Sequence, residues 1–258
     1  MGSANATVAR NHPSMTLPLE ELVRDVALLC LDAGNTVIFL DHPRISAWLG
    51  EQGYSVTADA LVRSEGEAKR RQEREGLLQV DWKGRQAPGA LGWGGMLGTT
   101  MLGAGVPERA LATLLPPLWK EHVRWNLYSR VPEGLVPALE AVRARGVPVA
   151  IISNSEGMLE TLFDKLGILA CFDAIFDSSR LGFEKPDRRI FDAALAKFGV
   201  VAPRALHLGD TYATDVVGAR AAGVRAALID PFGHYEGKHP DVPRVEGVVP
   251  VARAIAPA

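Results

Sequence analysis

The chain has 258 residues, 28 Lys plus Arg against 30 Asp plus Glu, a net charge of -2, and 47% hydrophobic residues. That composition can fill one large core, or a core carrying an insertion, and it excludes a disordered chain. The balanced charge excludes a polybasic protein that grips nucleic acid by neutralising phosphates, and no apolar run reaches the ~18 residues a membrane helix needs.

Residues 1–20 are small, polar and aperiodic, and read as a disordered leader with order beginning near Asp25. The first buried-strand pattern is VALLCLD, 26–32. From about Asp41 to Arg130 the pattern turns helical, in HPRISAWLGEQG, TADALVRSEGEAKRRQEREG and PERALATLLPPLWKEHVRWNLYSR. Between the last two lies a glycine-rich stretch, 89–105, which reads either as a mobile lid or as a small-residue helix packed closely on a neighbour. Strand and helix then alternate. The strands are VPVAIISN (147–154), FDAIFDSS (172–179), ALHLGD (205–210) and VRAALID (224–230). The helices are 131–146, 155–167, 186–199 and 211–223, each ending on glycine. Such alternation predicts a parallel sheet with right-handed crossovers, an α/β Rossmann-like core flanked by helices. The expected domains are a core of 21–40 and 131–230, a mainly helical cap of 41–130, and an irregular proline-rich strap over 231–258. Two cysteines, Cys30 and Cys171, can neither staple a fold of this size nor bind zinc by spacing. A reducing, cytoplasmic setting is expected, with neither nucleic acid nor membrane as partner.

Ligands of open α/β sheets sit beyond the carboxyl ends of the strands, so chemistry is sought there. Asp32 ends the first strand, followed by Gly34. Ser153 and Asn154 end the second. Lys185 precedes Pro186 at a helix start and can neutralise an anion as a compact point charge. Asp210 ends the fourth, with Asp215 five positions on, a pair suited to a hard cation such as magnesium. Taken singly, each residue also has a structural reading as turn, cap or surface charge. Elsewhere, EAKRRQEREG (67–76) reads as a salt-bridged solvent face, Trp119 and Trp125 as core of the insertion, and Cys30 as a buried structural thiol.

Acid, hydroxyl, lysine and paired acids at successive strand ends, with EKPDRRIF and HLGDTYATDVVGARAAG, resemble the haloacid dehalogenase-like hydrolase superfamily from about Asp25 to Asp230. The resemblance implies an aspartyl nucleophile at Asp32, with Ser153 and Asn154 on the transferring group and Lys185 holding Asp32 and the substrate. It also implies Mg2+ held by Asp32, the Gly34 carbonyl, Asp210 and Asp215, and a small phosphorylated substrate. One departure matters. Phosphatases of the family carry a second acid two positions after the nucleophile, where this chain has Gly34. General acid–base help is worth roughly 10²–10⁴-fold. Four readings follow: a phosphatase suited to a good leaving group or using another donor (Asp41, His42 or Glu184); a 2-haloacid dehalogenase; a phosphonate hydrolase with a Schiff-base lysine among Lys69, Lys83 and Lys120; and a non-catalytic binding protein. The phosphatase reading accounts for most of these residues.

Overall fold

The computed structural model describes residues 18–257; residues 1–17 of the expected leader lie outside the described residues. The end of that segment is ordered: helix α1 (Leu19–Leu22) buries Leu22. Strand β1 (Leu28–Leu31) follows, buried along its whole length. A tight loop leads to β2 (Phe39–Leu40), and Asp41 then caps α2 (His42–Glu51) by accepting from the Arg44 amide. Thr57 caps α3 (Ala58–Glu75) in the same way. Next come α4 (Ala90–Gly103) and α5 (Glu108–Arg124). The chain returns through β3 (Tyr128–Arg130), antiparallel to β2, so the insertion enters and leaves on one two-stranded ribbon.

The alternating part then runs α6 (Leu135–Ala144), β4 (Val149–Ser153), α7 (Leu159–Lys165), β5 (Ala174–Asp177), α8 (Ser178–Leu181) and α9 (Arg189–Phe198). It continues with β6 (Ala205–Gly209), a π-helical turn (Tyr212–Val216), α10 (Val217–Ala221) and β7 (Arg225–Ile229). It ends with β8 (Arg244–Val245) and α11 (Val248–Ile255).

Six strands form one parallel sheet in the order β5-β4-β1-β6-β7-β8. Strand β1 lies between β4 and β6, where the order of connection reverses, and such a switch point opens a crevice at the carboxyl ends. Alternate residues serve opposite faces. Leu29, Leu31, Val149, Ile151, Leu206 and Leu208 pack with α6, α7 and α11. Leu28, Cys30, Ala150 and Ile152 pack with Ile190, Phe191 and Ala194 of α9 and with Ala219 of α10. The sheet is thus covered on both sides, which is why its strands read as continuous apolar runs.

Helices α2 to α5 enclose a separate hydrophobic cluster that includes Leu49, Leu61, Trp82, Trp93, Leu97, Leu111 and Leu115. The glycine-rich stretch is helix α4. A Cβ at Gly94 would meet the Trp82 indole at 2.6 Å, and one at Gly103 would meet Ser64 Oγ at 2.9 Å. These glycines allow close backbone approach. Trp119 packs on Trp93 with ring centroids 5.0 Å apart, whereas Trp125, expected in this core, is 42% exposed.

The carboxyl-terminal segment differs from the expected irregular strap. It supplies the edge strand β8 and the helix α11, whose Val248, Val251 and Ala252 bury against Leu135 and Leu139 of α6. Proline density misleads here because Pro250 stands in the first turn of α11, where its missing N–H has no intrahelical partner to lose. No helix among the described residues is long and apolar enough to cross a membrane.

Candidate active site

The loop after β1 is held by its own backbone. The Val37 and Ile38 amides donate to the Ala33 carbonyl at 3.0 and 3.1 Å. Asn35 adopts φ 51°, a left-handed conformation that asparagine tolerates better than most residues. This arrangement keeps Asp32 at the mouth of the crevice, buried, with its amide donating to Leu208 O at 2.8 Å.

Asp32, Asp210 and Asp215 converge: one carboxylate oxygen from each lies within 4.8 Å of the others. Lys185 Nζ bridges two of them, donating to Asp32 Oδ1 and Asp215 Oδ1, each at 2.6 Å. Asp215 is fixed by three donors, since His207 Nε2 donates to its Oδ1 at 2.9 Å and the Thr211 amide to its Oδ2 at 3.0 Å. The π-helical turn folds the Asp215 carboxyl back over the end of β6, and a Cβ at Gly209 would collide with it. Glycine before Asp210 is therefore a packing requirement of Asp215.

Ser153 is buried at the end of β4 and lines the same cavity, of about 940 Å³. Asn154 was expected on the transferring group, but both ends of its amide hold the Lys185 backbone. Its Nδ2 donates to Lys185 O at 2.9 Å and its Oδ1 accepts from Lys185 N at 2.8 Å. Gly34 lines the cavity, and the space in front of it is taken: a Cβ there would stand 3.2 Å from Tyr128 Cε1. The Tyr128 ring thus fills the room a side chain at 34 would enter. Of the candidate donors, Asp41 caps α2, His42 Nε2 donates to Glu65 Oε2 at 2.9 Å, and Glu184 lines the cavity.

Two further charged residues come from α3. Glu65 accepts from Asn35 Nδ2 and His42, and Lys69 Nζ lies 2.7 Å from Asp210 Oδ2. Both are buried. By sequence alone 67–76 reads as a solvent face, and Lys69 is one of three undistinguished lysines. The missed signal is helical spacing: Leu61, Glu65, Ala68 and Lys69 share one stripe, and Leu61 and Ala68 belong to the buried side. His234, from the loop after β7, closes this group. Its Nε2 donates to Val62 O at 2.9 Å, which leaves Nδ1 as the acceptor facing Lys69 Nζ at 3.3 Å.

Electrostatics follow from burial and pairing. Burial pushes the Asp32 carboxyl up to about 7; Lys185 opposes this, while Asp215 and Asp210 add to it. For Asp215 burial acts in the same sense, but the Lys185 charge and the His207 hydrogen bond outweigh it and hold the carboxyl well below the usual range. Burial alone would favour neutral Lys69, yet Asp210 and Glu65 keep it firmly an ammonium. Cys30, buried beneath the site, has its thiol pushed up to about 12 by burial and is no nucleophile.

The donor set for a metal is oxygen only, which suits a hard cation. Asp32, Asp210, Asp215 and nearby Glu65 outnumber the ammonium groups of Lys185 and Lys69 in this pocket, so added positive charge fits it.

Comparison with known proteins identifies the family. A family model for haloacid dehalogenase-like hydrolases matches residues 27–223. The human haloacid dehalogenase-like hydrolase domain-containing protein 3 is 30% identical over 216 residues, covering 79% of this chain and 82% of that protein. A phosphoserine phosphatase of Thermus thermophilus is 37% identical over 129 residues, 49% of each chain. A magnesium-bound HAD-hydrolase of Bacillus subtilis shares the fold, with a TM-score of 0.60 at 17% identity over 90% of this chain and 99% of that one. With the family's model matched over more than half of its length, this chain belongs to the haloacid dehalogenase-like hydrolases.

Proposed function

We propose that this hydrolase is a magnesium-dependent phosphatase of a small phosphorylated metabolite, with helices α2 to α5 acting as its cap. The observation that carries the reading is the convergence of Asp32, Asp210 and Asp215 around Lys185 at the switch point of the sheet. The likeness to a phosphoserine phosphatase supports it.

Asp32 is the nucleophile. One of its carboxylate oxygens forms a bond to phosphorus as the bond from phosphorus to the leaving oxygen breaks, giving an aspartyl phosphate. Water then attacks that phosphorus, releasing inorganic phosphate and restoring Asp32. Lys185 orients the Asp32 carboxylate and offsets the negative charge brought in by the substrate. Ser153 hydrogen-bonds the transferring group. Asn154 acts one step back, positioning Lys185 through its backbone. Asp32, Asp210 and Asp215, with the Gly34 carbonyl, would hold the magnesium ion. When bound, the ion neutralises charge on the phosphoryl oxygens.

Gly34 offers no acid, and Tyr128 occupies the space in front of it. The favoured substrate therefore has a leaving group that departs without strong protonation, such as an acyl phosphate. A panel of phosphate esters and acyl phosphates, assayed with magnesium and with EDTA, tests this. The expected result is magnesium-dependent phosphate release, fastest for acyl phosphates and abolished by Asp32→Asn. Release unaffected by Asp32→Asn would overturn the reading.

Lys69 in the cavity, like the small residue at Gly34, favours phosphonate hydrolysis. Against it, a Schiff base needs a neutral amine, and Asp210 and Glu65 hold Lys69 as an ammonium. Borohydride trapping with an aldehyde phosphonate separates the two readings, with no covalent adduct expected.

A further inference from the structure

The cap places a positive charge on a carboxylate that the proposed function assigns to the metal. Lys69 Nζ is 2.7 Å from Asp210 Oδ2, and both side chains are withdrawn from solvent. Asp210 is one of the three carboxylates whose oxygens lie within 4.8 Å of one another. An ammonium ion at hydrogen-bond distance from that carboxylate and a divalent cation bound to it would repel each other across a few ångströms of poorly screened interior.

Lys69 also has other acceptors nearby. His234 Nδ1 lies 3.3 Å from Nζ and is kept as an acceptor by the Nε2 bond to Val62 O. Glu65 stands one helical turn back on the same stripe of α3. The lysine is anchored to the insertion, and its Asp210 partner belongs to the sheet. The contact therefore ties the metal carboxylate to the position of the cap.

We propose that Lys69 is a built-in counter-cation that competes with the divalent ion for Asp210, so that this cap residue sets the metal affinity of the core. This rests on the metal-dependent reading above. When an ion occupies the carboxylates, Lys69 gives up Asp210 and is retained by Glu65 and His234. No proton is transferred in the exchange; one cation replaces another.

The test is isothermal titration of the full-length chain with magnesium chloride and with manganese chloride, without substrate. Wild type is compared with Lys69→Met, which removes the charge, and Lys69→Arg, which keeps it. Thermal melts check that each variant folds cooperatively, and Lys69→Gln replaces Lys69→Met should the latter not fold. The expected result is metal bound at least tenfold more tightly by Lys69→Met than by wild type, with Lys69→Arg close to wild type. Equal or weaker binding by Lys69→Met overturns the proposal and leaves the metal-dependent reading standing. Equally tightened binding by the Met and Arg variants also overturns it, because the effect would then be packing rather than charge. No binding by any of the chains overturns the metal-dependent reading, and this proposal with it.

Discussion

The two walls of the cavity are built on different principles. The sheet wall takes its polar groups from strand ends and strand-to-helix turns: Asp32 after β1, Ser153 on β4, Asp210 after β6. Neighbouring parallel strands bring these ends together whatever the flanking sequence does, and Asp215 is locked among three donors. The insertion wall takes Glu65 and Lys69 from mid-helix positions on α3. They reach the cavity only because α3 packs with one stripe towards the sheet and lodges against the His234 loop. The first wall is preorganised by backbone register; the second depends on how two packed bodies meet. Substitutions on the two sides should therefore fail differently.

The largest effect is expected on the sheet wall. Lys185→Met leaves Asp32 and Asp215 facing each other without their shared counter-charge. Breaking a buried pair from one side costs about 3–5 kcal/mol, and the activity should fall at least as far as that of Asp32→Asn. Urea unfolding and turnover with magnesium measure the two losses. A variant of near wild-type stability would show that the carboxylates relax by protonation, and the preorganised picture of this wall would be wrong.

Next is Gly209→Ala, where the added methyl collides with the Asp215 carboxyl. A loss of about 3 kcal/mol is expected, together with weakened metal binding. A variant that keeps both properties would show that the π-helical turn can yield, making the sheet wall as adaptable as its partner.

The insertion wall offers a pH probe. Burial, then the Lys69 charge, lowers the His234 pKa to about 4 from 6.5. Between those values the unfolded chain binds the proton and the folded chain does not, so stability rises with pH there. The contribution is fully present above pH 6.5 and is lost as pH falls towards 4, amounting to about 3 kcal/mol. The wild-type decline in unfolding free energy from pH 7 to pH 5 should accordingly be steeper than that of His234→Asn. Parallel curves would detach His234 from the packing of α3.

The smallest effect concerns the space before Gly34. Gly34→Ala should cost about 1 kcal/mol, because the Tyr128 ring 3.2 Å from the new Cβ must give slightly. Gly34→Asp alone should gain no phosphate-ester hydrolysis, whereas pairing it with Tyr128→Ala frees room for the carboxyl. A gain from the single variant would mean that the ring moves aside readily.

Legibility followed the same division. Asp32, Ser153 and Asp210 could be picked out because they stand where apolar strand runs end, whereas Lys185 and Asp215 lie off the strands, in the stretches EKPDRRIF and HLGDTYATDVVGARAAG. The role of Asn154 could not be read, because whether its amide faces a ligand or a neighbouring backbone depends on which loop lies beside it. Lys69 was hidden in a run of charges that looked uniformly solvated. Trp125 carries the composition of a core residue but stands just beyond the end of α5, outside the packed stripe. Helix α11 was obscured by Pro250, which is harmless in a first turn.

Local pattern alone determined the alternation of strands and helices, the parallel sheet it implies and the acids at its strand ends, because strand periodicity and turn chemistry are written within a few residues of one another. Only tertiary packing decided that α3 delivers Lys69 to Asp210, that Tyr128 fills the space before Gly34, and that His234 backs the lysine. Those contacts join residues 94 to 165 positions apart, and such pairings are set by the docking of whole elements.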